Sequence, residues 1–298
     1  VIEAPPDNKR FANMAGIVSV SGQPLDFGFE WPDSMMPIGN DYTAIERAVA
    51  ECAYAGCESV WIVCNKDIQP LIKHRIGDYV HDPSYVSRSI VVNPSDHKIE
   101  IPIFYVPVHP KDRFKRDCLG WGTLYGALSA YYITRKISRW TVPDKFYAAF
   151  PYGVYDPALL RNYKAEITAN DRFFLSFAGQ TVQNGLYLGF TFNAEDFKRF
   201  RRDVRKYGTG IKVPGQIVGE GEIPLERLPV EERWSARHFS LDKVFGSAII
   251  EESKVAALNE YHCIDSWDGY RKFMASELQL ERPNYILKRK FTNRLFVG

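Results

Sequence analysis

The stretch TAIERAVAECAYAGCESVWIVC, residues 43–64, decides how the rest of the chain is read. Thr43 and Glu46 stand as a capping-box pair, and Ile45, Ala48, Val49, Cys52 and Ala53 recur at helical spacing. Gly56 is placed to end that helix. Ser59–Cys64 is apolar without alternation, as suits a strand buried on both faces. Upstream, Ala15–Ser21 is a similar run, joined to the helix by a loop over 22–41 carrying three prolines and three glycines. Downstream, Pro70 opens a helix that Gly77 ends, and Ile101–Val108 and Lys145–Phe150 read as strands flanking a helix at Gly122–Lys136. Segments 172–178 and 185–193 read as strands, followed by helices at Ala194–Tyr207, near Leu241–Gly246 and at Trp267–Leu280. The Gly-, Pro- and Glu-rich stretch 208–238 is expected to run over the surface. Strands apolar on both faces, alternating with helices, predict an α/β protein with a mostly parallel sheet covered on both sides.

Composition narrows the function classes. The chain has 298 residues, 45% hydrophobic, 25% charged and 14% aromatic, which excludes disorder for most of its length. No run approaches eighteen apolar residues, so no transmembrane helix and no membrane partner are expected. Five cysteines, at 52, 57, 64, 118 and 263, form no C-x-x-C pair and no disulfide framework. Cys52, Cys57 and Cys64 lie in apolar stretches and read as buried structural residues of an intracellular protein. Residues 1–13, ahead of Met14, read as an arm or leader, 14–281 as one domain, and 282–298 as a basic tail.

Six segments, taken in order, resemble the sugar-nucleotide pyrophosphorylases, nucleotidyltransferases of the glycosyltransferase-A type of Rossmann-like fold. Ser21-Gly22-Gln23-Pro24-Leu25-Asp26 stands where that family has G-x-G-T-R, and Trp31-Pro32-Asp33-Ser34-Met35-Met36-Pro37-Ile38 where it has P-K-P-L-L-P-V. The helix at 43–55 with its strand and the Ile76-Gly77-Asp78 ending follow. Leu119-Gly120-Trp121-Gly122-Thr123-Leu124-Tyr125-Gly126-Ala127-Leu128 resembles the G-T-x-x-A-L helix start. Val154-Tyr155-Asp156-Pro157-Ala158-Leu159-Leu160 is similar to F-D-P-x-L-L, and Cys263-Ile264-Asp265-Ser266-Trp267-Asp268-Gly269-Tyr270 to D-I-G-T-P-E-D-Y. The resemblance covers 15–275. It implies a three-layer nucleotide-diphospho-sugar transferase fold, a triphosphate on the glycine loop and Mg²⁺ held by two aspartates.

The departures fall on the chemistry. Pro24 deletes a backbone donor, and Leu25-Asp26 replaces Thr-Arg. Asp33 stands at the lysine position, reversing its charge. The metal positions carry Tyr152, four before Asp156, and Cys263, a soft ligand that Mg²⁺ disfavours. A slip of one or two residues would bring Asp156 or Asp265 there instead. Each lost electrostatic group costs about 2.7–4 kcal/mol of transition-state stabilisation. The resulting reading is a nucleotidyltransferase-like binding or structural protein without metal-dependent catalysis or cofactor, of the kind a phage would encode, in host cytoplasm or virion. An active nucleotidyltransferase or glycosyltransferase, with Mg²⁺ on relocated ligands, is the alternative. The crevice positions by resemblance are Gly22, Asp26, Trp31, Asp33, Trp121, Thr123, Tyr152, Asp156, Cys263 and Asp265. Trp31, Trp121, Tyr125 and Tyr152 are expected at its rim, where they could stack on a base or sugar.

Other constellations are weaker. No histidine pair has metal-ligand spacing, and His262-Cys263-x-Asp265 would need a further ligand to hold zinc. No G-x-S-x-G marks a serine nucleophile. Lys198, Arg199, Arg201, Arg202, Arg205 and Lys206 crowd one predicted helix whose apolar stripe is Phe197, Phe200 and Val204. They read as a solvated face or as a surface for nucleic acid or an acidic protein partner. Arg282, Lys288, Arg289, Lys290 and Arg294 add to the charge, and Glu220–Glu232 compensates part of it.

Overall fold

The computed structural model describes residues 13–20, 32–83, 100–113, 118–138, 141–212, 225–227, 239–251 and 253–287. The sheet begins with β1 (Met14–Ser19), buried at every position. The short strands β2 (Pro37–Gly39) and β3 (Tyr42–Thr43) lead into helix α1 (Ala44–Ala55). Glu46 reaches back to the Thr43 amide at 3.0 Å, as the capping-box spacing predicts. Gly56, at φ +90°, ends α1 in the left-handed conformation that a side chain would strain. Strand β4 (Ser59–Cys64), helix α2 (Gln69–Ile76), and strands β5 (Tyr79–His81) and β6 (Glu100–Pro107) follow.

Beyond the short α3 (Pro110–Arg113), helix α4 (Leu119–Ile137) crosses the sheet. A Cβ at Gly126 would lie 2.7 Å from methyls of both Ile17 and Val63. The glycine therefore lets α4 sit directly on β1 and β4. Strands β7 (Lys145–Ala149) and β8 (Gly153–Val154), helix α5 (Leu160–Ala169), and strands β9 (Phe173–Ser176) and β10 (Phe190–Asn193) come next. Then come helix α6 (Ala194–Thr209), the ribbon β11 (Gly210–Lys212) and β12 (Leu225–Arg227), and helix α7 (Leu241–Phe245). Strands β13 (Lys254–Ala257) and β14 (His262–Cys263) and helix α8 (Trp267–Met274) complete the elements.

Eight strands form one sheet in the order β13-β9-β10-β7-β1-β4-β6-β5. β1 pairs parallel with β4 and β7, and β4 parallel with β6, while β10 and β5 pair antiparallel with their neighbours. α1, α2, α5 and α8 contribute to the core on one face, and α4, α6 and α7 to the core on the other. The mixed, mostly parallel three-layer architecture expected from the sequence is present. Cys52, Cys57 and Cys64 are buried free thiols within it.

Three local expectations are corrected. The segment 185–193 is a strand only from Phe190, because Gly185 takes φ +89° and the backbone turns between Leu186 and Leu188. The last helix stops at Met274 rather than Leu280, and the Ser276 hydroxyl bonds back to the Phe273 carbonyl. Arg282 does not begin a solvated basic tail. It is 9% exposed, and its guanidinium holds Glu46 through Nε at 3.1 Å and Nη2 at 3.0 Å. A fully buried carboxylate requires such a partner.

Candidate functional site

Strand order reverses between β1 and β7, with β4 and β6 on one side and β10 and β9 on the other. Ligands of open α/β sheets bind outside the carboxyl ends of the strands at such a point. β7 ends there at Ala149, and the carbonyl of the next residue, Phe150, accepts from Arg47 Nη2. The chain then passes through Tyr152 into β8, which pairs antiparallel with β14 so that Cys263 lies opposite Gly153. The Ile264 amide donates to the Tyr152 carbonyl at 2.9 Å. The two metal positions inferred by resemblance, Tyr152 and Cys263, are thereby brought together.

Phenols surround them. Tyr152 is 5% exposed and meets Tyr187 edge-on, with ring centroids 5.7 Å apart. The Tyr187 hydroxyl faces Asp265 Oδ2 at 3.4 Å, and its amide donates to the Tyr261 hydroxyl at 3.1 Å. Gly153 has no side chain because one would collide with the Tyr187 carbonyl. Burial, followed by the charge of Asp265, pushes the Cys263 thiol up to about 12. Burial likewise raises Tyr187 and Tyr261, so all three stay neutral near pH 7. Mg²⁺ asks for hard, anionic oxygen ligands. A phenol and a protonated thiol do not fit it, and among the described residues Asp265 is the carboxylate that touches this cluster. Among the described residues, no group of three or more His, Cys, Asp or Glu side chains could hold a metal ion.

The other inferred positions are spread around this centre. Gly22, Asp26 and Trp31 lie outside the described residues. Asp33 is 9% exposed and opens a 3-10 turn at Asp33–Met35. Trp121 is half-buried in the first turn of α4, and its amide donates to Cys118 Sγ at 3.3 Å. Thr123 is fully buried, its hydroxyl bonded to the Leu119 carbonyl at 2.9 Å. Asp156 is exposed and caps the turn after β8 through the Ala158 amide at 2.9 Å.

Sequence reasoning missed the charged support beneath the crevice. Arg47 and Glu51 are fully buried on α1 and paired at 2.9 Å. Glu51 Oε1 also accepts from the hydroxyls of Tyr147, at 2.8 Å, and Tyr155, at 2.6 Å. The Arg47 guanidinium lies over the Tyr155 ring at 4.6 Å. One signal was available, since a helix buried all round leaves its charges no route to water. Tyr187 and Tyr261 carried no motif. A cavity of about 710 Å³ opens between Pro37–Asn40, α8 and residues 276–284, and sequence gave no hint of it.

No protein-family model and no curated protein matches the sequence. Solved structures do. A Bacillus anthracis protein described as a glucose-1-phosphate thymidylyltransferase, in complex with a sucrose, superposes with a TM-score of 0.51 and 9% identity. The match covers 90% of this chain and 97% of that one. A nucleoside-diphosphate-sugar pyrophosphorylase from Vibrio cholerae matches at TM-score 0.47 and 12% identity, over 88% of this chain and 100% of its own. Rv0371c from Mycobacterium tuberculosis H37Rv matches at 0.47 and 14% identity, over 90% and 100%. The first likeness, together with the strand order, shows that the chain has the α/β fold of the sugar-nucleotide nucleotidyltransferases.

Proposed function

We propose that the chain binds a nucleotide or sugar in the crevice at the β1–β7 reversal and does not catalyse metal-dependent nucleotidyl transfer. One observation carries this reading: the backbones at the two positions expected to ligate the metal run side by side, and those positions hold Tyr152 and the raised thiol of Cys263. Phosphoryl transfer depends almost wholly on positioning and on neutralising developing charge. A phenol and a protonated thiol at the metal positions do not supply that neutralisation. What they leave is the partly exposed ring of Tyr187, backed edge-on by buried Tyr152, as the aromatic group that could stack on a base or a sugar ring. The similar Bacillus anthracis protein, solved with a sucrose, makes a sugar a reasonable first ligand to test.

The test pairs calorimetry with a pyrophosphate-release assay. Nucleoside triphosphates, sugar nucleotides and neutral sugars are titrated with and without Mg²⁺. The expected result is binding that Mg²⁺ leaves unchanged, with no pyrophosphate released from a triphosphate and a sugar 1-phosphate. Mg²⁺-dependent turnover, or no binding of any of the three classes, overturns the reading.

A further inference from the structure

α6 carries exposed cations that form no ion pair among the described residues, on a helix that also holds Glu195, Asp196 and Asp203. Asp203 accepts from the Ser247 hydroxyl. Asp196 is nearly buried and takes Arg172 Nε at 3.0 Å and the Arg199 guanidinium, so Arg199 is spent inside the fold. Phe200 and Val204 anchor the helix in the core, and half-buried Phe197 packs against the same core while keeping part of its ring at the surface. Lys198, Arg201 and Arg202 are exposed and form no ion pair among the described residues. Together with half-buried Phe197 they line one concave surface of about 460 Å³. Arg205 and Lys206 continue the helix, and their side chains lie outside the described part.

We propose that this face of α6 binds single-stranded nucleic acid, with Lys198, Arg201 and Arg202 on successive phosphates and Phe197 stacked against a base. Charge comes first. Three like charges within five residues repel one another, and a polyanion relieves that repulsion while releasing its own counterions. Spacing is the second argument. Lys198 and Arg202 are one helical turn apart, a rise of about 6 Å, comparable to the step between phosphates along a single strand. Phe197 decides between nucleic acid and an acidic protein. An aromatic face among cations stacks on any base and gives a carboxylate nothing. An unpaired base is needed to reach it, which favours a single strand over a duplex. The proposal is independent of any ligand in the crevice, which lies at the carboxyl ends of β1 and β7.

Fluorescence anisotropy of the full chain with a labelled oligo-uridylate of about 15 nucleotides tests it, with polyglutamate as the competing probe. Three phosphate contacts give a log–log salt slope of about −2, so affinity should fall roughly 20-fold between about 50 and 200 mM KCl. The triple variant Lys198→Glu, Arg201→Glu, Arg202→Glu should bind at least about tenfold more weakly. A control triple on other exposed cations, Lys66→Glu, Lys136→Glu and Arg271→Glu, should bind as wild type. Phe197→Leu keeps the apolar packing but removes the ring, and should lose about fivefold on RNA. Three results overturn the proposal: no binding at the lower salt, equal losses in both triples, or polyglutamate binding as tight as RNA with Phe197→Leu unaffected. The last would assign the face to an acidic protein.

Discussion

Replacing Arg47 with methionine should destabilise the whole fold, and the size of the effect follows from what remains behind. Methionine retains most of the volume but leaves Glu51 fully buried, with only the hydroxyls of Tyr147 and Tyr155 turned toward it. Breaking a buried ion pair from one side costs about 3–5 kcal/mol, because the surviving charge has lost its counter-ion. With an unfolding entropy of about 2.1 cal/mol/K per residue, each kcal/mol shifts the melting temperature of a chain this long by about 1.6 °C. Arg47→Met should therefore melt about 5–8 °C below wild type. Adding Glu51→Gln removes the orphaned charge while preserving an acceptor for both phenols. The double variant should recover part of the loss, giving a non-additive cycle. Scanning calorimetry and urea titration at pH 7 measure both. A shift below about 1 kcal/mol for Arg47→Met, or strictly additive losses, would refute the reasoning.

Other consequences are equally direct. Arg282→Ala strips Glu46 of one of its two cations, leaving Arg75, and should speed proteolysis within 276–287 while lowering stability by about 2–4 kcal/mol. Cys263, held up to about 12, should react with iodoacetamide at pH 8 roughly a thousandfold more slowly than an unfolded thiol, read by mass spectrometry of trapped peptides. Cys64 and Cys263 are both raised to about 12, so the unfolded chain loses these protons first. Their contribution to stability is complete below the ordinary thiol pKa near 8.5 and should fade from there toward about pH 12, measurable as a falling urea midpoint. Finally, Tyr152→Asp with Cys263→Asp restores two hard ligands where the chain brings these positions together. That variant should bind Mn²⁺ detectably by electron paramagnetic resonance at concentrations where wild type does not; equal signals would count against the alignment of these positions.

Much of the fold was legible because burial writes itself into sequence. Ser59–Cys64 is apolar without interruption because helices cover both faces of β4, and the Thr43–Glu46 box with Gly56 marks α1 to the residue. Leu119–Leu128 located the start of α4 even though its glycines act by close packing against Ile17, Val63 and Val244. Pairing direction was less visible. Nothing in Phe190–Asn193 says that it runs against β7, since apolar runs suit either orientation. Resemblance put Tyr152 and Cys263 at the metal positions, and in the structure their backbone segments are neighbours. It said nothing of Tyr187 and Tyr261, which arrive from segments without a motif. Buried charge was hardest to foresee. Arg47 and Glu51 look like an exposed i,i+4 pair until Tyr147, Tyr155 and the Phe150 carbonyl close over them. Arg282 looked like part of a basic tail for the same reason: a cation's partner 236 positions away leaves no local trace.

That long-range tie has a consequence for synthesis. Glu46 stands in the first turn of α1, and Arg282 leaves the ribosome 236 residues later, about 10–50 s at ordinary elongation rates. Until then α1 has a carboxylate whose final cation does not yet exist, so the nascent helix should stay ajar at its amino end. Closure then falls to a late segment, which latches a sheet whose β1, β4 and β7 were complete long before. A ribosome stalled ahead of residue 282 should display a protease-sensitive α1, and one stalled well past 287 a sealed one.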